Sequence, residues 1–287
     1  MSKKRIFLTL LFLISFLLLF IYQDKEINNG KLKVVFCDVG QGDGIYIRTP
    51  EGQDIIVDGG PDNSILLCLS ENMPFWDREI ELMILTHPHA DHYTGLISIA
   101  KSYKVLSFAS SLVRESDSGY KALAGILDNQ KIPKRFICQG DKFSLKSGVS
   151  FEILWPRSCD LSKTILSTDP NDNSVVGLLS YKDFQLLLTG DAGEGVEDLV
   201  DNIVGDIDVL KVPHHGSRTG FDSEFLNVTK PELAVISVGD KNRYKHPAPN
   251  ILGFLKTGNI KTFRTDKQGS IRISSDGITY SVASSKY

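Results

Sequence analysis

The chain has 287 residues, of which 41% are hydrophobic and 23% charged, a composition that excludes a disordered or fibrous protein. The length suits one large domain or two small ones. Residues 31–287 hold 28 basic and 33 acidic side chains, a net charge of −5. Any binding of nucleic acid would therefore depend on a local patch and not on a generally basic surface.

The N-terminal segment is a basic end followed by an apolar run. Lys3-Lys4-Arg5 precedes seventeen residues, 6–22, that include no charge, Gly or Pro, which is the lower limit for a helix across about 30 Å of hydrocarbon. The positive flank places the N-terminus in the cytoplasm and the remainder outside the membrane. We therefore predict an anchor and linker over 1–30 and one domain over 31–287.

Two other interpretations of this segment stay open. A cleaved signal peptide would leave the domain secreted, although the run is longer than the usual signal core of about 7–15 residues and no A-x-A-like site follows it. A core helix of the soluble domain is disfavoured by the charges on both sides of the run.

Short apolar runs alternate with helical patterns through the rest of the chain. Strands are predicted at 32–36, 44–47, 54–57, 81–85, 105–108, 174–180, 184–188, 208–212, 233–238 and 260–263, with β-rich stretches at 134–155 and 270–284. Helices are predicted at 91–101, 121–129, 193–202, 223–227 and 250–256. Two β-rich halves with interspersed helices indicate two packed sheets with helices outside.

The four cysteines, Cys37, Cys68, Cys138 and Cys159, lie in apolar stretches and form no C-x-x-C pair. Free cysteine behaves as a small hydrophobe, so burial as thiols is the favoured prediction. An extracytoplasmic domain could instead oxidise a pair of them, and the sequence does not identify which.

All six histidines follow or end predicted strands, in three clusters at 87–92, 214–215 and 246. In the first, H-x-H-x-D-H, His87 and His89 alternate along an extended backbone and can face one ion, while Asp91 and His92 begin a helix and can serve a second ion. Imidazole and carboxylate suit Zn, Mn or Fe. Two ions about 3.5–4 Å apart clamp the attacking and leaving oxygens of a displacement, so the pattern predicts half of a two-metal hydrolase site.

Asp191 and Asp58 each follow an apolar strand and lie next to a glycine. Asp191, at the end of Leu188-Thr189-Gly190-Asp191, is the candidate to bridge two ions, because Gly190 allows the backbone to turn sharply. Asp58 has the same arrangement and could orient a metal ligand or cap its turn. Asp38 and Asp43, in D-V-G-Q-G-D, could support the metal site or form the turn there.

Together these features resemble the metallo-β-lactamase superfamily, an α/β class of hydrolases with an αββα sandwich fold. Five further strings resemble the extracytoplasmic hydrolase domain of the ComEC competence proteins, and the likeness covers about residues 32–284. These strings are residues 36–43 (FCDVGQGD), 171–176 (NDNSVV), 188–192 (LTGDA), 210–217 (LKVPHHGS) and 236–247 (ISVG followed by NRYKHP).

The resemblance implies two divalent metal ions, zinc or alternatively manganese. The ligands that it implies are His87 and His89 at one ion, Asp91 and His92 at the other, Asp191 between them and His246 completing the second site. One of His214 and His215 is expected to face the metals as a ligand, a phosphate contact or a proton donor, with His214 favoured. The catalytic residues implied are Asp91, Asp191 and His214.

The chain departs from the superfamily at one position. Many members place a third histidine for the first metal between H-x-H-x-D-H and the bridging aspartate, yet this sequence has no histidine between 92 and 214. Asn173 is expected nearest that position, so the first metal would be weakly held or prefer manganese. Asn173 or Ser174 could instead donate a hydrogen bond to substrate.

The late motifs carry cations that would suit a phosphate-bearing substrate or would be solvated surface charge. They are Lys211, Arg218, Lys241, Arg243 and Lys245. The supporting or substrate-binding positions expected from all of these motifs are Asp38, Asp43, Asp58, Asn173, Ser174, His215, Ser217 and Arg243.

The metal pattern and the basic loops thus predict a membrane-anchored extracytoplasmic phosphodiesterase. The resemblance to the ComEC domain implies a nuclease acting on single-stranded DNA and linked to DNA uptake through a separate channel. One alternative substrate is another phosphodiester, such as a cell-wall polymer substituent. A lactam or thioester is disfavoured by the missing histidine and the basic loops. A metal-free surface binding domain is disfavoured by the retained ligands. The oligomeric state stays open.

Overall fold

A computed structural model describes residues 2–112, 118–160, 169–193, 195 and 204–286. The α-helices of this part of the chain are α1 (Lys3–Ile27), α2 (Ser64–Asn72), α3 (Ala90–Ser102), α4 (Ser118–Asn129), α5 (Ser223–Thr229), α6 (Pro249–Thr257) and α7 (Thr265–Gln268). The helix predicted at 193–202 lies largely outside the described residues.

The strands are short and mostly buried. They are β1 (Leu32–Phe36), β2 (Gly44–Arg48), β3 (Asp54–Gly59), β4 (Glu79–Ile80), β5 (Leu82–Leu85), β6 (Lys104–Val105), β7 (Phe108–Ser110), β8 (Lys134–Phe136), β9 (Lys142–Ser144), β10 (Val149–Trp155), β11 (Val176–Tyr181), β12 (Phe184–Leu188), β13 (Val209–Lys211), β14 (Leu233–Ile236), β15 (Lys261–Arg264), β16 (Ile271–Ser275) and β17 (Tyr280–Ser284).

The strands form two large sheets and one small ribbon. The first sheet has the order β17-β16-β1-β2-β3-β5-β7-β8, the second the order β15-β14-β13-β12-β11-β10-β9, and β4 pairs with β6. Neighbours are parallel from β3 to β8 and from β12 to β15. Helices α3, α4, α5 and α6 connect successive parallel strands, and the loops after such strands meet at one edge of each sheet.

Three apolar layers hold these elements together. The inner faces of the two sheets pack on each other, with Val34 and Phe36 of β1 among the contacts. Val35, between them, points the other way and packs with α2, α3 and α4, while α5 and α6 cover the outer face of the second sheet. Because both faces of the central strands are buried, these strands are mainly apolar along their length. The predicted αββα sandwich is confirmed.

Close packing of α3 against β3 brings the histidine segment to the edge of the first sheet. A Cβ atom on Gly95 of α3 would lie 1.9 Å from the carbonyl oxygen of Gly59, and one on Gly42 would lie 2.2 Å from that of Asp91. Only glycine fits at these two contacts. The absence of side chains there lets the start of α3, with Asp91 and His92, approach the loop after β1.

The first helix is longer than the apolar run indicates. The residues after the apolar run, up to residue 30, were expected to form a linker, but α1 continues to Ile27, whose carbonyl oxygen accepts a hydrogen bond of 2.6 Å from Lys33 Nζ. Its part Lys3–Ile21 is long and apolar enough to cross a membrane, and none of that part is buried in the protein. A core helix would be buried, so the core-helix interpretation is wrong.

The prediction of four buried thiols is also wrong. Cys37 is bonded to Cys68 and Cys138 to Cys159. The first pair lies in the apolar layer between the first sheet and its helices, whereas the second is only half-buried. The apolar residues next to the cysteines in the sequence correctly indicated burial of Cys37 and Cys68. They give no information about which cysteines pair, because the partners lie far apart in the chain.

The two disulfides predict a measurable dependence of stability on oxidation. Replacing Cys37 and Cys68 by alanine removes a cross-link between residues 31 positions apart, which should lower the free energy of unfolding by about 3–4 kcal/mol in denaturant titration. Mass spectrometry after alkylation should add no label to the untreated protein and four labels after reduction, one for each cysteine. Labelling of the folded, unreduced protein would contradict the pairing.

Candidate metal centre

The candidate site lies where loops after strands of both sheets meet. Asp58 is the second-last residue of β3 and has a φ of 59°, and the histidine segment 87–92 follows β5 after one residue, Thr86. From the second sheet, Asp191 follows β12 and the turn 213–216 follows β13. The site therefore exists only when the two sheets are packed together.

Asp191 is the centre of the cluster and its side chain is only 3% exposed. Its Oδ2 atom lies 3.3 Å from His92 Nε2 and 3.2 Å from His215 Nε2. His214 Nε2 lies 3.9 Å from the same oxygen, but the His214 side chain is 29% exposed. One carboxylate oxygen thus faces three imidazoles, two of them buried and one at the open side.

On one side of Asp191 lie the two histidines of the H-x-H pair. His87 Nε2 is 3.1 Å from His89 Nδ1, and ligand atoms of His87, His92 and Asp191 lie within 4.8 Å of one another. The hydroxyls of Thr86 and Ser174 lie 3.1 and 3.2 Å from His87 Nδ1. These contacts fix the ring so that Nε2 points into the cluster.

On the other side, Asp91 and His215 meet. His215 Nε2 lies 3.7 Å from Asp91 Oδ2, and ligand atoms of Asp91, His92 and His215 lie within 4.8 Å of one another. His215 Nδ1 is held 2.9 Å from the carbonyl oxygen of Ser237. The ring is therefore oriented with Nε2 towards the carboxylates.

Asp58 fixes His92 from behind. Its Oδ2 atom lies 2.7 Å from His92 Nδ1, and the carboxylate also accepts hydrogen bonds from the Thr86 amide at 2.8 Å and the Thr86 hydroxyl at 2.7 Å. A carboxylate on the far nitrogen of an imidazole is the arrangement that orients metal-ligating histidines.

A buried lysine completes the electrostatics of the cluster. Lys211 has no exposed side-chain surface, forms an ion pair with Asp43 and donates a 2.6 Å hydrogen bond to the carbonyl oxygen of Gly190. Its Nζ atom lies 3.7 Å from Asp191 Oδ1. Lys211 is thus part of the core of the site and not one of the surface cations that could meet a substrate.

The charges in the cluster shift its pKa values strongly. Burial would raise the pKa of Asp191, but His215 and His92 outweigh burial and hold it well below its usual range. Burial would lower the pKa values of His92 and His215, yet Asp191 above all raises both well above their usual range. Burial and the neighbouring His92 lower the pKa of His87 well below its ordinary value. Negative charge therefore dominates around His92 and His215, which is the field that attracts a divalent cation.

The residues present fit bound metal. Among the described residues, Nε2 of His92, Nε2 of His215 and Oδ1 of Asp191 are buried and make no regular hydrogen bond to protein. Such buried polar atoms are costly unless something binds them. The Nδ1 atoms of His92 and His215 are held by Asp58 and Ser237, which leaves both Nε2 atoms available to a metal. Imidazole nitrogen and carboxylate oxygen are ligands that Zn or Mn accepts.

The remaining predicted positions lie around this centre. Ser174 accepts a 3.1 Å hydrogen bond from the Asp191 amide, so it supports the ligands as well as His87. Asn173 is almost buried and donates to the carbonyl oxygen of Asp169 at 3.3 Å. Ser217 is half-buried at the end of the His214 turn. Asp38 pairs at 2.8 Å with Lys286, and no metal-ligand group of the described residues includes it.

His246 lies at the open side of the site. Its ring centroid is 5.9 Å from that of His214 and 5.6 Å from that of Tyr244, on which it stacks. The metal-ligand groups of the described residues include His87, His92 and His215, and they include none of His89, His214 and His246. Arg243 is exposed and donates to the Tyr244 hydroxyl at 2.7 Å. His214, Tyr244 and His246 thus form a series of rings that leads outward from Asp191.

Sequence reasoning missed Thr86, Ser237 and the burial of Lys211. Thr86 had a usable signal, since it is the polar residue between a strand and the first histidine. Lys211 also had one, because it is the single charge in the apolar run Val209-Leu210-Lys211-Val212 of a central strand. Ser237 acts through its backbone carbonyl, and its side chain gives no signal of that role.

The fold and this geometry agree with the sequence comparison. A model of the metallo-beta-lactamase superfamily matches residues 37–240, which is more than half of the chain. The chain therefore belongs to the metallo-β-lactamase superfamily, whose members are generally metal-dependent hydrolases that bind divalent metals, often two.

Curated relatives confirm the resemblance to competence proteins. The chain is 28% identical over 274 residues to ComE operon protein 3 of Bacillus subtilis, covering 89% of this chain and 34% of the relative. It is 29% identical over 258 residues to competence protein ComA of Neisseria gonorrhoeae, covering 88% and 33%. The chain thus spans about a third of the length of these relatives.

Solved structures share the fold at low identity. CmlA from Streptomyces venezuelae, a diiron β-hydroxylase, matches with a TM-score of 0.53 and 14% identity over 82% of this chain and 52% of its own. Zn²⁺-bound PqqB from Methylobacterium extorquens matches with a TM-score of 0.50 and 14% identity over 78% and 85%. These similarities show the fold alone.

The positions of His215 and His246 predict different effects on metal binding. His215→Ala should weaken binding of Zn or Mn at least about a hundredfold, since loss of a residue that only orients a metal ligand already costs about 10–100-fold in affinity. His246→Ala should leave the affinity unchanged, because its ring packs against His214 and Tyr244 at the open side of the site. Competition titration against a chelating dye measures both. A larger loss in His246→Ala than in His215→Ala would contradict the geometry.

The burial of Lys211 predicts a loss of stability when its charge is removed. Lys211→Met removes the ion-pair partner of Asp43 and one of the cations near Asp191, and removal of one partner of a buried ion pair costs about 3–5 kcal/mol. The matched control is Lys121→Met on the exposed side of α4, which should change the free energy of unfolding by less than about 0.5 kcal/mol. Equal stability of the two variants in denaturant titration would contradict the assignment.

Proposed function

We propose that this chain is a membrane-anchored, extracytoplasmic, metal-dependent phosphodiesterase that cleaves nucleic acid, with single-stranded DNA as the expected substrate. The observation that carries the hydrolytic part is the convergence of His92 and His215 on Oδ2 of the buried Asp191. The relatives named for competence support DNA as the substrate. A separate channel would be the partner in uptake.

In this proposal the ligands come from both sheets. His87, His89 and Asp191 would hold one ion, and Asp91, His92, His215 and Asp191 would hold the other. Two divalent ions, zinc or manganese, would supply the lowered pKa of water and the electrostatic stabilisation of the phosphoryl oxygens. Asp58, Ser174 and Ser237 would keep the ligands oriented, so that binding of the ions requires little rearrangement.

The open side of the site carries the residues suited to the substrate. Burial holds the pKa of His214 below its usual value, so this imidazole would be neutral near pH 7 and would donate a hydrogen bond to a phosphate oxygen through Nε2–H. His246 has a lowered pKa through burial and the nearby His214 and would contact the substrate beside it. Exposed Arg243 and Lys245 would bind neighbouring phosphates.

Two features support a location outside the cytoplasm. Disulfides persist in oxidising compartments and are rare in the cytosol, and all four cysteines are paired. The basic residues before the apolar part of α1 favour an orientation with the N-terminus inside. We therefore place the anchor in residues 1–30 and the catalytic domain, 31–287, on the outer side.

The proposal is tested by activity assays on the full chain in detergent with Zn or Mn added. The substrates are single-stranded DNA, double-stranded DNA, bis-p-nitrophenyl phosphate and a lactam. We expect cleavage of the phosphodiesters and none of the lactam. Cleavage of the lactam alone would contradict the proposal.

A matched pair of variants separates the metal centre from the rest of the surface. Asp191→Asn removes a buried ligand and should lower phosphodiesterase activity at least about a hundredfold, the order found when a group that stabilises developing charge is lost. Asp240→Asn, which changes an exposed aspartate, should leave activity unchanged. Full activity in Asp191→Asn would overturn the two-metal assignment.

A further inference from the structure

Two large aromatic side chains project from the loop between α2 and β4. Phe75 is 49% exposed and Trp76 is 37% exposed, and their rings lie 4.8 Å apart in an edge-to-face arrangement. On α2, the helix that precedes this loop, Leu67 is 65% exposed. Contiguous exposed apolar side chains mark a surface that contacts a protein or a membrane.

The aromatic pair lies beside the outer end of α1. The ring of Trp76 is 4.2 Å from that of Phe20, and the ring of Phe75 is 6.1 Å from that of Phe16. Phe20 and Phe16 belong to the part of α1, Lys3–Ile21, that is apolar and long enough to span a membrane. Phe16 comes five residues before Ile21, about 8 Å along the helix axis at about 1.5 Å per residue.

A polar layer lies just beyond the aromatic pair. Arg48 donates hydrogen bonds of 3.2 and 3.0 Å to the side-chain oxygen of Asn28, which follows α1. The same guanidinium lies 3.3 Å from the carboxylate of Asp77, the residue after Trp76. These contacts hold the aromatic loop at a fixed place along α1, with apolar rings towards the anchor and charges towards the domain.

We propose that Phe75 and Trp76 insert into the outer interface of the lipid bilayer, so that the catalytic domain contacts the membrane at a second point besides its anchor. This rests on the proposed membrane anchor. Tryptophan is enriched at the level of the headgroups, and interfacial side chains reach about 5–10 Å into the bilayer, which matches the depth that Phe75 reaches along α1. The consequence is a domain held at one height and tilt above the membrane.

The two tryptophans of the chain, Trp76 and Trp155, make a direct test. The full chain is reconstituted in liposomes of phosphatidylcholine and phosphatidylglycerol, with or without bromine on the upper acyl chain, a quencher of tryptophan emission. In Trp155→Phe, emission comes from Trp76 alone. Since interfacial residues lie within about 5–10 Å of the acyl boundary, bromination should lower this emission at least about twofold.

The matched control is Trp76→Phe, in which emission comes from Trp155 alone. Trp155 ends β10, packs against the apolar layer on the outer face of the second sheet and donates its indole hydrogen to the carbonyl oxygen of Asp172, so bromination should not change its emission. If Trp155→Phe does not fold, the unchanged chain gives the same answer. Its emission is the sum from Trp76 and Trp155, and subtracting the emission of Trp76→Phe leaves that of Trp76.

The outcomes separate the docking surface from the anchor. Flotation of the protein with liposomes while Trp76 emission stays insensitive to bromine would overturn the docking and leave the anchor standing. Blue-shifted emission without quenching would mean that protein covers Trp76, as in a second copy of the chain, and would also overturn it. Failure to float would overturn both the anchor and the docking.

Discussion

The buried carboxylate of Asp191 is the group on which the site depends. It comes from the second sheet, and its Oδ2 atom receives His92 from the first sheet at 3.3 Å and His215 from the second at 3.2 Å. These groups stay together only because the inner faces of the sheets pack into one apolar layer. A mixed cluster of carboxylates, imidazoles and one lysine is costly to bury, and that cost is the physical reason for proposing metal ions there.

Much of the fold and part of the site could be predicted because their signals are local. The alternation of apolar runs with helical patterns indicated both sheets and their outer helices, since each element shows its buried face in its own sequence. His87, His89 and His92 lie within six residues, so their proximity needs no knowledge of the fold. Asp191 could be placed because an apolar strand and Gly190 precede it.

What the sequence could not supply depends on long-range geometry. His214 and His215 both have positive φ, 47° and 54°, in a turn that directs their rings to different sides, and only that turn decides which one is buried. The short helix α2 was not predicted, and neither was the continuation of α1 into the expected linker, because tertiary contacts decide both. The pairing of cysteines and the partner of Lys211 likewise depend on residues far away in the chain.

Metal ions are proposed to bind on both sides of Asp191. Anomalous X-ray scattering, measured at the absorption edge of zinc or manganese on crystals of the metal-loaded protein, tests it most directly. We expect two peaks, one beside His87 and His89 and one beside His92 and His215, with Asp191 between them. Peaks elsewhere, or a second peak bound by His246 while His215 contacts none, would contradict it.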